Sequence, residues 1–454
     1  MKRRDFLLGV AALAAGPIGC GGDDSADASA PADPQQPNVL FISIDDLNDW
    51  VGYLGGHPQV QTPNIDRLAA RAVSFEHAYC NAPLCGPSRV SALSGMYPFA
   101  TGVFDHTNPQ IPAALPDLLK HFASQGYDTR VLGKVYHYFT TYPNPKPSVY
   151  PATNLLCSGY PTLPPDGLFD WSPLDVEDAQ MADGQLTADG IAFMQASREQ
   201  PFFLGLGYIR THVPWYVPKQ YFDLYPIDQI HIPDVPADDW DDLPPTAITI
   251  ARFQNQHACI TQQSLWASAV QGYLASITFV DRQIGRLLDY LDNSPHARNT
   301  VVVLWSDNGF HLGEKFHWHK QALWEESARV PFIIQAPGGA TKPVAIRRDV
   351  SLIDMFPTLL ELCGLPAVNG LQGRSLVPLM QDPSQSWQHP VLTTYLKNHH
   401  AIRLGKWCYM RYENGDEELY DRSTDQGQFT NLAGRPDLAG VKEELGRLMP
   451  ALIA

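Results

Sequence analysis

The sequence predicts an α/β fold built on a doubly wound, mostly parallel sheet, with a small antiparallel subdomain at its C-terminal end. Four short apolar, β-rich runs, at residues 39–44, 127–132, 202–208 and 300–305, each end in polar residues, as buried parallel strands do. Helical patterns lie between them, at residues 64–71, 115–124, 186–198 and 265–291, so strand and helix alternate. From about Val391 the pattern turns alternating and turn-rich (VLTTYLK, AIRLGKWCYMRYENGDEELYD), then helical over residues 438–448, which predicts a small sheet with a terminal helix.

The 454 residues can bury a large core, and 44% hydrophobic with 18% charged residues is ordinary for a globular enzyme. A net charge of −16 does not suit binding to nucleic acid, so an anionic substrate would need a local basic pocket. Seven cysteines without a CxxC pair give no support to zinc-ribbon or thioredoxin chemistry, and no disulfide is assigned.

Lys2, Arg3 and Arg4 precede an apolar run, residues 6–15, that is too short to span a bilayer and fits a twin-arginine signal peptide. The run ends at Gly19-Cys20-Gly21-Gly22, a lipoprotein-type cleavage site with Cys20 as lipid acceptor; a plain cleaved signal is the alternative. The organisation expected is a signal at 1–20, a flexible tether at 21–37, a main domain at 38–385 and a C-terminal subdomain at 386–454. Export to the periplasm or outer membrane of a Gram-negative bacterium follows, with the membrane touched only through the lipid.

Ligands of such sheets bind beyond the strands' carboxyl ends, where this chain has Asp45-Asp46, Lys134 with His137, His212, and Asp307-Asn308. One aspartate of an isolated pair could equally cap a helix. Three carboxylates and an amide oxygen at two strand ends instead make a hard, oxygen-rich site of the kind Ca²⁺ or Mg²⁺ prefers. Cys85-Gly86-Pro87-Ser88-Arg89 precedes the helix-like VSALSG, with Pro87 near the first helical position, so Cys85 stands at a helix N-terminus. The N–H groups there favour an anion, either a thiolate or a bound sulfate or phosphate group. The competing view is a buried or disulfide-paired cysteine beside Cys80. Segment 140–183, rich in Pro, Gly, Ser and Asp, and segment 226–245, rich in Pro and Asp, read as long loops over the site.

CGPSR matches the CxPxR signature of formylglycine-dependent type I sulfatases, and IDDLND, TPNIDRLA, GKVYH, SDNGFHLGE and ELYDRSTDQGQFTNLA fall in that family's order. Together they cover nearly the whole chain after the tether. PFFLGLGYIRTHVPW, GKVYHY and ASITFVDRQIGRLL most resemble the iduronate-2-sulfatase branch, whereas many arylsulfatases place one residue, not two, between the equivalents of Lys134 and His137.

The resemblance implies an alkaline-phosphatase-like sandwich that removes sulfate from a sulfated carbohydrate, either glycosaminoglycan-like or an algal polysaccharide fragment. It implies a maturation enzyme that turns Cys85 into formylglycine, and calcium, with magnesium less favoured, held by Asp45, Asp46, Asp307, Asn308 and the modified Cys85. The hydrated aldehyde would attack sulfur with one hydroxyl and expel sulfate with the other. Arg89 would hold the hydrate, Lys134 and Lys320 would offset charge on the sulfuryl oxygens, and His137 would be the base of the second step. His212 or Lys320 would protonate the leaving alcohol. His106, Trp215, His311 and His317 are read as rim residues near the sugar, with Trp318 as a stacking surface. A transition-metal site at His317-x-His319 ranks below this. The alternatives are a phosphonate or phosphodiester hydrolase of the same fold and a surface protein that binds sulfated glycans without turnover.

Overall fold

A computed structural model describes residues 36–138, 169–252, 255–338 and 343–450. The signal peptide, Cys20, most of the tether and residues 140–168 of the first expected loop lie outside the described residues. The strands described are β1 (Asn38–Ile44), β2 (Val73–Tyr79), β3 (Asp128–Gly133), β4 (Trp171–Leu174), β5 (Phe202–Tyr208), β6 (Trp215–Pro218), β7 (Thr300–Ser306), β8 (Phe332–Gln335), β9 (Val344–Ser351), β10 (Val391–Tyr395), β11 (His399–Leu404), β12 (Trp407–Arg411) and β13 (Glu417–Asp421).

The central sheet has seven strands in the order β3-β5-β1-β7-β8-β2-β9. The four apolar runs of the sequence are its neighbours β3, β5, β1 and β7, all parallel. Every residue of β1, β5 and β7 is buried, which is why each reads as an unbroken apolar run. Strands β2, β8 and β9 have weaker signals: β2 carries half-exposed Glu76 and His77, β9 is an edge strand with exposed Arg347 and Arg348, and β8 has four residues. β8 runs antiparallel to both β7 and β2, so the sheet is mostly and not wholly parallel.

Alternate residues of β1 feed two cores. Leu40, Ile42 and Ile44 face the 27-residue helix Trp266–Asp292 through Tyr273, Ile277 and Val280, with helices Pro63–Ala69 and Ala182–Gln195 beside it. Val39 and Phe41 face the opposite layer, where helices Cys85–Ser94, Leu118–Ser124 and Met355–Leu362 contribute Leu93, Phe122 and Leu359. The sheet is thus covered by helices on both faces.

Strands β10 to β13 form the expected antiparallel sheet, followed by the helix Ala439–Gly446. It is tied to the central unit by Thr394 N donating to Asn81 O at 2.8 Å and by the Arg403–Glu325 ion pair at 2.7 Å. Segment 226–245 has one short 3₁₀ turn, Ile227–Gln229, before the helix Pro245–Ala251. Among the described cysteines, Cys80, Cys85, Cys363 and Cys408 are buried free thiols and Cys259 is disulfide-bonded. No described helix is long and apolar enough to cross a membrane.

Candidate active site

The parallel register of β1 and β7 pairs Ile44 with Ser306, so the residues that follow, Asp45-Asp46 and Asp307-Asn308, leave the sheet side by side. β3 delivers Lys134 and β5 delivers the loop with His212 to the same edge. Asp46 has a left-handed backbone (φ 60°), tolerable for an aspartate. Its N–H donates to Asp307 Oδ1 at 3.1 Å and its carbonyl accepts from Tyr273 Oη at 2.8 Å, which hold it there. Neither Asp45 nor Asp46 caps a described helix.

Asp45, Asp46, Asp307 and Asn308 are fully buried, and oxygens of the three carboxylates lie within 4.8 Å of one another. Asn308 Nδ2 donates to Asp46 Oδ1 and to Gly309 O, both at 2.8 Å, while its buried Oδ1 has no partner. A hydrogen-bond acceptor without a donor, next to three converging carboxylates, is the donor set of a hard divalent cation. Burial pushes Asp307 up to about 7 even with Arg89 beside it, whereas burial of Asp45 is outweighed by Lys134, His212 and Arg89, which hold it well below the usual range.

Arg89 is bonded into the carboxylate cluster. Its Nε donates to Asp307 Oδ2 at 2.8 Å, Nη2 to Asp45 Oδ1 at 3.2 Å, and Nη1 to Ser43 Oγ, Val135 O and Lys134 O. The guanidinium therefore holds two candidate metal ligands in place. Lys134 Nζ ion-pairs with Asp45 Oδ2.

Cys85 opens the helix Cys85–Ser94, as its motif predicts, and is 1% exposed. Lys320 Nζ donates to Sγ at 2.8 Å and to both Asp46 oxygens at 2.6 and 2.7 Å, and Sγ lies 3.6 Å from Asp46 Oδ1. Burial pushes the thiol well above its ordinary value, despite Lys134 and Lys320, so the anion expected at this helix start is not a thiolate.

His212 Nδ1 faces Val213 O at 2.6 Å, so it carries the proton, and Nε2 points to Asp46 Oδ2 at 3.8 Å. Burial and Lys320 lower its pKa to about 4. His137 packs against His106 at a tilt of 36°, with ring centroids 4.4 Å apart, and its buried Nδ1 has no partner. Burial, then Lys134, lowers His137 to about 3, so both imidazoles are neutral near pH 7. His106 is exposed and its Nε2 accepts from Gly86 N at 3.3 Å, which puts it at the mouth of the site.

The other three rim assignments are corrected. Trp215 is 0% exposed, lies in β6 against Tyr273 and Phe310, and donates Nε1 to Thr211 O at 2.8 Å, buttressing the His212 loop from within the core. His311 and His317 are fully buried because their segment folds back on itself, with His311 N donating to His319 O at 2.9 Å and Gly313 N to His317 O at 3.0 Å. His317 Nε2 contacts Lys320 O at 2.9 Å, so it supports the backbone of Lys320 and meets no sugar. Trp318 is also buried. Among the described residues, neither His317 nor His319 belongs to a cluster of three potential metal ligands.

Several supporting residues were missed. Thr211 N and Oγ1 both donate to Asp45 O at 3.1 Å, and Ser306 Oγ accepts from Leu47 N at 2.9 Å. Asp183 accepts from the N–H groups of Ile209 and Arg210, at 3.0 and 2.9 Å. Lone Ser, Thr and Asp residues at strand and helix ends are too common to signal such roles.

The sulfatase family profile matches residues 37–365, and a profile for the C-terminal part of N-sulphoglucosamine sulphohydrolase matches residues 313–454. A sulfatase of Formosa agariphila is 35% identical, over 99% of this chain and 92% of the relative. Human iduronate 2-sulfatase is 31% identical over 76% of this chain and 71% of its own length. The phosphonate monoester hydrolase of Agrobacterium radiobacter shares the fold, with a TM-score of 0.76 at 20% identity over 91% of this chain and 94% of that one. The aspartates, Asn308 and the Cys85 helix all fall within the first profile, and the chain belongs to the sulfatase family of enzymes, which hydrolyse sulfate esters.

Proposed function

We propose that the chain is an exported, calcium-dependent sulfatase that acts on a sulfated carbohydrate through a formylglycine made from Cys85 by a maturation enzyme. The observation that carries this reading is the position of Cys85 Sγ, 2.8 Å from the Lys320 ammonium and 3.6 Å from the Asp46 carboxylate to which Asn308 also bonds. A thiol kept protonated by burial is a poor nucleophile there, whereas an aldehyde hydrate supplies a hydroxyl to attack sulfur and a second to release sulfate.

Asp45, Asp46, Asp307 and Asn308 Oδ1 are the residues that would hold the cation, whose chemistry is polarisation of the nucleophile and of the sulfuryl oxygens. All-oxygen donors favour calcium over softer metals. The three carboxylates are matched by Arg89, Lys134 and Lys320, so a bound divalent ion leaves a surplus of positive charge for an anionic sulfate ester. Lys134 and Lys320 then orient the sulfuryl oxygens. Burial works against the charge of Lys320, but Asp46 and Cys85 raise its pKa, so it holds a proton for the leaving alcohol. His212 Nε2, with its proton on Nδ1, is an acceptor, and the neutral His137 imidazole, whose Nδ1 is unengaged, is the base for sulfate release.

The carbohydrate substrate is inferred from relatives such as iduronate 2-sulfatase. Export is supported by the twin-arginine pattern and Cys20, and by the Cys259 disulfide, which suits an oxidising compartment. The test is peptide mass spectrometry across Cys85 on protein from its native host, with sulfate release assayed before and after chelation. Formylglycine together with calcium-restored release is expected. Unmodified cysteine in most molecules overturns the nucleophile, and faster release of phosphate than of sulfate from esters of one alcohol moves the enzyme to the phosphoester class.

A further inference from the structure

Beside the mouth of the site lies an open cavity of about 700 Å³ between the loop that follows the helix Pro98–Thr101 and the turn joining β10 to β11. That volume lies within the roughly 300–1,000 Å³ of small-molecule sites. Both walls are joined to residues next to catalytic ones in the chain. On one side, Asp105 and Thr107 line the cavity and flank His106, whose Nε2 takes the N–H of Gly86 next to Cys85. On the other, Leu396 and Lys397 line it directly after Tyr395, whose hydroxyl donates to Gln321 Oε1 at 3.0 Å, next to Lys320. A molecule with its sulfate at Cys85 therefore has this cavity as an adjacent space past His106.

The lining fits a sugar ring. Asn108 and Gln110 offer amides for hydroxyl groups, and Phe104 and Leu396 offer apolar surface for C–H faces. Leu396 is 41% exposed and stands in the left-handed region (φ 52°), a cost for a residue with a branched side chain and no neighbour to bury it. The lining also carries Lys120 and Lys397 in a chain of net charge −16. Lys120 already pairs with Asp117 at 3.1 Å, whereas Lys397 makes no ion pair among the described residues.

We propose that this cavity is the subsite for the rest of the carbohydrate, and that Lys397, seconded by Lys120, recognises a second anionic group on it, a uronic carboxylate or a further sulfate. This rests on the sulfatase reading above. Desolvation is partial at so open a site, so the lysine contributes selectivity and little to the chemical step.

The test uses mature full-length enzyme with 4-methylumbelliferyl sulfate and a panel of glycosaminoglycan-derived disaccharides. The panel holds monosulfated uronates, their methyl esters and the disulfated forms. Wild type is expected to prefer the free uronates over their methyl esters, or the disulfated over the monosulfated forms, which tells the two anion sources apart. Lys397→Glu should lower the ratio of kcat/KM for the preferred disaccharide to that for the aryl sulfate by about five- to tenfold, mainly through KM. Lys397→Arg should restore it. Arg447→Glu, the same charge change on an exposed residue just past the terminal helix, should leave the ratio within about twofold.

An equal fall for Arg447→Glu and Lys397→Glu, or no fall in the ratio for Lys397→Glu, overturns the subsite. So does a wild type that cleaves the aryl sulfate but none of the disaccharides. Failure to cleave either class after confirmed maturation overturns the sulfatase reading itself.

Discussion

Two largely buried ionic clusters in this chain both pair carboxylates with basic side chains and are left in different states. At the junction with the C-terminal sheet, Glu325 accepts from Arg403 Nε at 2.7 Å and from Tyr79 Oη at 3.0 Å, and Arg422 grips both Asp349 oxygens at 3.0 and 2.8 Å. Every carboxylate oxygen there has its donor. In the catalytic crevice, charge is balanced as well, yet Asn308 Oδ1 and His137 Nδ1 lack partners and Asp46 sits in the left-handed region. The junction leaves no carboxylate oxygen open, its one unpartnered atom among these residues being the donor Arg422 Nε, and serves stability; the crevice keeps the acceptor Asn308 Oδ1 open for something that arrives.

That contrast can be broken most sharply at Cys85. Cys85→Ala should abolish sulfate release while leaving the fold intact, a loss of about 10⁴-fold or more in kcat measured by released sulfate. Wild-type turnover in this variant would remove Cys85 from the mechanism. Next in size, Asp46→Asn or Asp307→Asn should lower kcat/KM by about 10³-fold and erase the rise in Tm that added Ca²⁺ gives the wild type. Calcium stabilisation that survives in both variants would place the ion elsewhere.

At the junction the expected effect is on stability and not on chemistry. Glu325→Gln leaves Arg403 buried without its charge partner and should cost about 3 kcal/mol in denaturant unfolding near neutral pH, with kcat changed little. Its pH dependence has a definite sign. Burial alone would raise Glu325, but Arg403 and Arg422 hold it down at about 2. Its contribution is therefore fully present above its ordinary value of 4.5 and is lost as pH falls through about 2. The gap between wild type and Glu325→Gln should narrow over that window; a constant gap would mean that the pair is not ionic.

The smallest effect sharpens the boundary of the crevice. A Cβ on Gly86 would stand 2.6 Å from Pro109 Cβ and 2.9 Å from His106 Cδ2, so Gly86→Ala must push the His106 loop outward. A fall of about three- to tenfold in kcat/KM for a carbohydrate, larger than for an aryl sulfate, is expected. An equal fall for both would mean that the loop serves the chemistry and not the sugar.

Much of the site was legible because its signals are local. An unbroken apolar strand that ends in Asp-Asp or Asp-Asn marks a crevice edge, and Cys-Gly-Pro-Ser-Arg marks a helix start, whatever the rest of the chain does. The rim was poorly legible. Trp215, His311 and His317 are residue types equally at home on a sugar and in a core, and only the fold-back at His311–His319 and the packing of β6 place them inside. Arg89 falls in the site as its motif predicts, but its bonds to Asp307 and Asp45 were not legible, since five donors on one side chain can serve many partners.

Four parallel strands, the helices between them, the two carboxylate-bearing strand ends and the helix that begins with Cys85 are legible in local sequence, because burial periodicity and helix-start chemistry act over a few residues. It takes the folded chain to show that β8 enters antiparallel between β7 and β2, that Lys320 reaches Asp46 across 274 positions of chain and Asn308 reaches it across 262, and that the β10–β11 turn walls a cavity beside His106. Such contacts depend on how whole layers pack, and no periodicity of a single segment encodes which distant side chain will face it.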